Sequence, residues 1–179
     1  GFGFANEYDV EFINKDTNKT EYKLRLKSNH WARSGKKYFV NWLIKIKGVT
    51  CDFEYEHNLD LDGKRVMICY ETKSLGDTLA FFPYIDEFRK KHNCELICST
   101  FHNNLFDKSY PKIKFVQPGS SEPNIHALYR LGMFYNNDNG VRTYNKEMHT
   151  SDPKQEPLMK MASDILGLDR SEERRVGKE

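Results

Sequence analysis

The spacing of apolar residues changes once along this chain, near Leu61-Asp62-Gly63-Lys64. Before that point apolar side chains recur at every second position. Tyr8, Val10 and Phe12 alternate with Asp9 and Glu11; Tyr22, Leu24 and Leu26 alternate with Lys23, Arg25 and Lys27; Trp42, Ile44 and Ile46 alternate with Asn41, Lys45 and Lys47. A period of two describes strands with one buried face, and Asn14 to Asn18 and Ser34-Gly35 supply turns. After that point Val66-Met67-Ile68-Cys69-Tyr70 runs almost without a polar residue, as a strand covered on both faces does in a parallel sheet. One chain therefore holds two kinds of sheet. We expect a β-rich, barrel-like domain over residues 1–61 and an α/β domain over 62–169.

Within the second region Leu79, Phe82, Ile85 and Phe88 have helical spacing and end on Arg89-Lys90-Lys91, cations that suit a helix carboxyl end. Cys94 to Ser99 reads as the next strand, so strand, helix and strand form a βαβ unit. Ile113 to Val116 predicts a third strand and Ala127 to Tyr135 a fourth, followed by a loop at Asn136 to Gly140. From Asp152 the pattern predicts a helix, with a stripe of Leu158, Met161, Ile165 and Leu166 and a stop at Gly167. Residues 170–179 carry seven charges and no core-forming cluster, and look like a foreign tail.

The net charge of +2 selects no partner, but Lys19 to Lys47 holds nine Lys and Arg against the single acid Glu21. With Trp31, Tyr38, Phe39 and Trp42 interleaved, that segment suits either nucleic acid or an acidic protein, and it equally suits a solvated sheet face. No apolar run approaches the roughly 20 residues of a membrane span. Gly1 to Glu7 has no signal-peptide pattern, and Cys51, Cys69, Cys94 and Cys98 show no paired CxxC spacing. These features predict reduced thiols, no metal site and a cytoplasmic location.

In open α/β sheets ligands gather at the carboxyl ends of the strands. The first such end is the loop Glu71-Thr72-Lys73-Ser74-Leu75-Gly76-Asp77-Thr78, with Lys73 to Thr78 as its candidate substrate-facing residues. Two readings of Asp77 stand side by side. It can accept a proton from a hydroxyl nucleophile, or it can complete a capping box with Ser74 and do nothing more. His102, Asn103 and Asn104 follow the second strand and are expected at the same crevice. The loop lacks both GxGxxG and GxxxxGK[ST], so neither dinucleotide nor P-loop chemistry is supported.

The stretch Tyr70 to Phe88, with Ser74-Leu75-Gly76-Asp77-Thr78 at its centre, resembles the bacterial autotransporter O-heptosyltransferases, relatives of the lipopolysaccharide heptosyltransferases. Ser34 to Val40, Tyr129 to Phe134 and Pro157 to Leu168 agree with the same family in order. The resemblance implies a small β-rich acceptor-capture domain followed by the amino-terminal Rossmann-like lobe of a GT-B glycosyltransferase. It implies transfer of heptose from ADP-heptose to serine hydroxyls of an autotransporter passenger, in the cytoplasm and as a homo-oligomer. Asp77 takes the role of catalytic base by this resemblance. The family's iron and donor nucleotide belong to a carboxyl-terminal lobe that would begin where this chain stops, so the segment alone is expected to be inactive.

Overall fold

The computed structural model describes residues 6–168; the residue 170–179 tail and the first five residues lie outside them. The chain forms two compact units. One is built from the chain up to Lys36 together with Val40–Asp60, the other from Lys37–Phe39 together with the chain from Leu61 onward.

The first unit is an antiparallel sheet of β1 (Glu7–Asn14), β2 (Lys19–Lys27), β3 (Trp42–Gly48) and β4 (Glu54–Asn58), in the order β2-β1-β3-β4. Register explains its period of two. Val10 lies between Leu24 and Ile46, and Phe12 between Tyr22 and Ile44, so one face is apolar. The other face is a ladder of ion pairs between directly opposed residues: Asp9 with Arg25 at 2.8 Å, Glu11 with Lys23 at 2.6 Å, Lys45 with Glu56 and Lys47 with Glu54 each at 2.7 Å. Among the described residues the sheet ends at β2 and β4 and is open, in place of the expected barrel-like domain. Alternation reports that one face is buried and not whether a sheet closes; closure needs matched, tilted strands, and β4 is a five-residue strand exposed along its whole length.

The same ladder accounts for the basic segment. Of its nine cations only Lys27 and Arg33 lack a carboxylate partner among the described residues: β1 and β4 supply acids to Lys23, Arg25, Lys45 and Lys47, Glu21 pairs with Lys19 and Lys36, and Glu147 pairs with Lys37. A free cationic groove for nucleic acid is not what this surface offers.

The second unit is built on a parallel sheet of β5 (Arg65–Tyr70), β6 (Glu95–Ser99), β7 (Lys114–Val116) and β8 (Ala127–Leu131), ordered β7-β6-β5-β8. Helix α1 (Leu75–His92) connects β5 to β6. It buries Phe81, Phe82, Tyr84, Ile85 and Phe88, with Phe81 stacked on Tyr70 at 6.2 Å and Phe88 edge-on to Tyr129 at 5.5 Å. Each such ring contributes roughly 1.5–3 kcal/mol on burial. Leu79 departs from its expected place in the stripe and is 53% exposed, while Thr78 is buried instead. The expected fourth strand ends at Leu131, and the expected loop at Asn136 to Gly140 is a hairpin of β9 (Tyr135–Asp138) and β10 (Val141–Tyr144) turning on Asn139-Gly140, both at positive φ. The last helix, α2 (Leu158–Leu166), begins after Pro157 rather than at Asp152, whose carboxylate caps a turn by accepting from Lys154 N–H. It stops at Gly167, whose φ of 61° and close contact with the Phe39 ring both require the absence of a side chain.

Candidate functional site

The strand order places the reversal of direction between β5 and β8, so the crevice above the sheet opens where Tyr70 leads into Glu71 and Leu131 into Gly132. Glu71 N–H donates to Leu131 O at 2.9 Å and extends the pairing by one rung. Its carboxylate accepts from Arg130 Nε at 2.5 Å, and the Arg130 guanidinium sits 5.6 Å from the centre of the Phe134 ring. Gly132 packs so closely that a Cβ there would stand 3.2 Å from Glu71 Cβ. Sequence reasoning placed Glu71 in the strand-end loop but not against Arg130 or Gly132, because their meeting depends on a pairing between strands about 60 residues apart.

From Glu71 the chain passes through Thr72, Lys73 and Ser74 into α1. Ser74 is the N-cap, extended at φ −65° and ψ 124°, and its Oγ accepts the Asp77 N–H at 3.3 Å. Thr78 Oγ1 donates back to Ser74 O at 2.8 Å. Leu75, Gly76 and Asp77 therefore form the first helical turn instead of ending a loop. A full capping box would have the Asp77 carboxylate return to the Ser74 N–H. That N–H donates instead to Thr72 Oγ1 at 3.0 Å. Among the described residues no hydrogen bond or ion pair engages the Asp77 carboxylate, which is partly exposed beside the positive end of the helix. The capping half of the expectation holds for Ser74, and Asp77 is left with its oxygens available.

His102 meets this loop from the β6 side. Its Nε2 lies 3.0 Å from Lys73 O, so Nε2 carries the hydrogen that the carbonyl accepts. Lys73 extends its ammonium to 5.1 Å from the Phe101 ring centre. Asn103 begins a single 3-10 turn, Asn103–Leu105, with its Oδ1 buried and unpaired, while Asn104 is exposed. The expected juxtaposition of the two loops is present, carried by His102 and Lys73 more than by the two asparagines.

The four cysteines are free. Burial pushes the Cys94 thiol up to about 11 and Cys98 further in the same direction, so neither is poised as a thiolate. Among the described residues no group of three or more His, Cys, Asp or Glu is placed to hold a metal ion. No helix among them is long and apolar enough to cross a membrane.

The same arrangement is found in a solved glycosyltransferase. The chain superimposes on the crystal structure of TibC, an iron-containing dodecameric glycosyltransferase from enterotoxigenic E. coli H10407, with a TM-score of 0.80 and 25% identity over 93% of this chain and 42% of TibC. A second TibC structure, solved with ADP-D-β-D-heptose, matches with a TM-score of 0.79. In sequence, the chain is homologous to the autotransporter heptosyltransferases. It is 34% identical over 137 residues to Aah of Escherichia coli and 33% identical over 148 residues to BAHTCr of Citrobacter rodentium, in each case over about three quarters of this chain. BimC of Burkholderia thailandensis, described as an inactive autotransporter heptosyltransferase, is 33% identical over 142 residues. The chain spans about a third of the length of these relatives, which fits an amino-terminal portion. No protein-family profile matches it.

Proposed function

We propose that this chain is the acceptor-side portion of a protein O-heptosyltransferase. In this reading residues 1–61 form the acceptor-capture domain, residues 62–169 form the Rossmann-like lobe of a GT-B enzyme, and Asp77 is the catalytic base. The observation that carries it is the uncapped Asp77 carboxylate at the carboxyl end of the parallel sheet, in a segment homologous to heptosyltransferases. The acceptor serine hydroxyl gives its proton to Asp77 while its oxygen forms a bond to the anomeric carbon of heptose. The bond from that carbon to the β-phosphate oxygen of ADP-heptose breaks on the opposite face, ADP departs with the electron pair, and the configuration inverts.

Lys73, Leu75 and Gly76, with His102, Asn103 and Asn104, line the approach of an autotransporter passenger segment, while the buried Thr78 holds the loop through Ser74 O. The donor and any iron are held outside the described residues, in a second lobe. No step is routed through a metal. The complete enzyme works in the cytoplasm as a homo-oligomer, as the dodecameric description of TibC supports.

Asp77 is the residue to test. In a complete transferase carrying this segment, Asp77→Asn is expected to abolish transfer from ADP-heptose to a serine acceptor while far-ultraviolet circular dichroism stays unchanged. Transfer at the parental rate by that variant overturns the reading.

A further inference from the structure

We propose that Thr72 is a positioning residue which keeps the Asp77 carboxylate out of the helix cap, and this rests on the reading of Asp77 as the proton acceptor. The start of α1 presents a choice. The Ser74 N–H needs an acceptor, and the group that ordinarily supplies it at this spacing is the side chain three residues on, here Asp77. A carboxylate engaged there would have one oxygen turned to the backbone and would be a poor partner for an incoming hydroxyl. Thr72 Oγ1 stands 3.0 Å from the Ser74 nitrogen and takes that hydrogen first.

Thr72 is itself held in place. Its neighbour Glu71 is fixed to β8 through Leu131 O and Arg130, and its other neighbour Lys73 is tied through its carbonyl to His102. Half-buried between two restrained residues, the Thr72 hydroxyl is set at the one point from which it satisfies Ser74. A hydroxyl at position 72 thus determines what Asp77 does five residues on, although Thr72 itself need touch no substrate.

Thr72→Val keeps the shape of the side chain and removes the acceptor; Thr72→Ser restores the acceptor without the methyl group. In the 179-residue chain, Thr72→Val is expected to shift the Ser74 amide proton resonance downfield as the Asp77 carboxylate replaces the hydroxyl. Adding Asp77→Ala removes that shift. A Ser74 resonance in Thr72→Val that is indifferent to Asp77→Ala overturns the proposal.

In a complete transferase, Thr72→Val is expected to lower kcat on the order of tenfold to a hundredfold, the range carried by one misplaced acid–base group, with KM for donor and acceptor unchanged. Thr72→Ser recovers most of it. Parental kcat in Thr72→Val alongside a dead Asp77→Asn also overturns the proposal. Should Asp77→Asn prove fully active, the assignment of Asp77 as base fails, and the Ser74 resonance still decides whether Thr72 excludes it from the cap. Thr72→Ala serves as a second variant that leaves space instead of a methyl group.

Discussion

Arg130 donates through Nε to the Glu71 carboxylate at 2.5 Å, joining the last turnings of β8 and β5 at the mouth of the parallel sheet. The pair is half-exposed, so its Coulombic worth is screened, and its importance lies in where it holds the chain. Arg130→Met is expected to cost only about 0.5–1 kcal/mol in unfolding free energy. It should nevertheless raise amide hydrogen exchange through residues 71–74. Unchanged exchange in that segment would remove the pair from any role in fixing the loop.

Gly132→Ala tests the same corner by crowding instead of by charge. A Cβ at 3.2 Å from Glu71 Cβ and 3.4 Å from the Phe134 ring forces one of them to move. We expect a loss of about 1–2 kcal/mol, read by thermal unfolding, and an altered Phe134 environment in proton NMR.

Gly167→Ala combines two penalties. The left-handed backbone at φ 61° costs a residue with Cβ about 1–2 kcal/mol, and the added methyl meets the Phe39 ring. Phe39 in turn lies 4.7 Å from His92 and 5.9 Å from Phe88, ring centre to ring centre. The variant is therefore expected to lose more stability than Gly140→Ala, where nothing stands within 4 Å of the new Cβ. Equal midpoints in urea for the two variants would show that the Phe39 contact carries no strain.

His92 predicts a pH dependence. Burial, with the nearby Lys91 charge acting in the same direction, pushes its imidazole down from 6.5 to about 4, and its Nε2 is buried without a partner. The unfolded chain therefore binds this proton before the folded chain does. Stability from this group is complete above about pH 6.5 and falls as the pH drops toward 4. Because the ring is only partly buried, the loss is expected to be about 1–2 kcal/mol, less than the full shift would imply. Burial pushes His149 in the same direction, although Asp164 and Asp152 oppose it. Its protonation would also cancel the 2.7 Å bond that Nε2 accepts from Phe134 N–H. Comparing unfolding at pH 7 and pH 5 in His92→Leu isolates the first contribution: the variant should lose less on acidification than the parent.

The ion-pair ladder of the first unit predicts weak attraction to polyanions. Binding of a single-stranded oligonucleotide to the chain is expected to be undetectable at physiological salt. A steep fall of measurable affinity with rising salt would instead mean that the paired cations release their acids to bind phosphate.

Much of this was legible in residues close together in sequence. Alternation around Val10 and Phe12, the apolar run of β5, and the Ser74 cap all depend on local spacing. What escaped were relations set by strand order. The acids opposite Lys45 and Lys47 come from β4, and Glu71 meets Arg130 only because β8 returns to the side of β5 away from β6. That the Ser74 N–H is taken by the Thr72 hydroxyl and not by the Asp77 carboxylate depends on a side-chain position that a sequence does not report. Leu79 kept helical spacing yet faces water, since a stripe read from four residues leaves the angle of the buried arc undetermined.

The outermost strand β4 has a consequence for how copies of this chain meet. Its five residues are all exposed, with Glu54 and Glu56 paired to Lys47 and Lys45 on β3, its one neighbour among the described residues, so a strand laid against its free side would meet a charge-rich strand. Assembly by extending this sheet from one molecule to the next is thereby discouraged. Association of copies is expected to use a surface other than this edge.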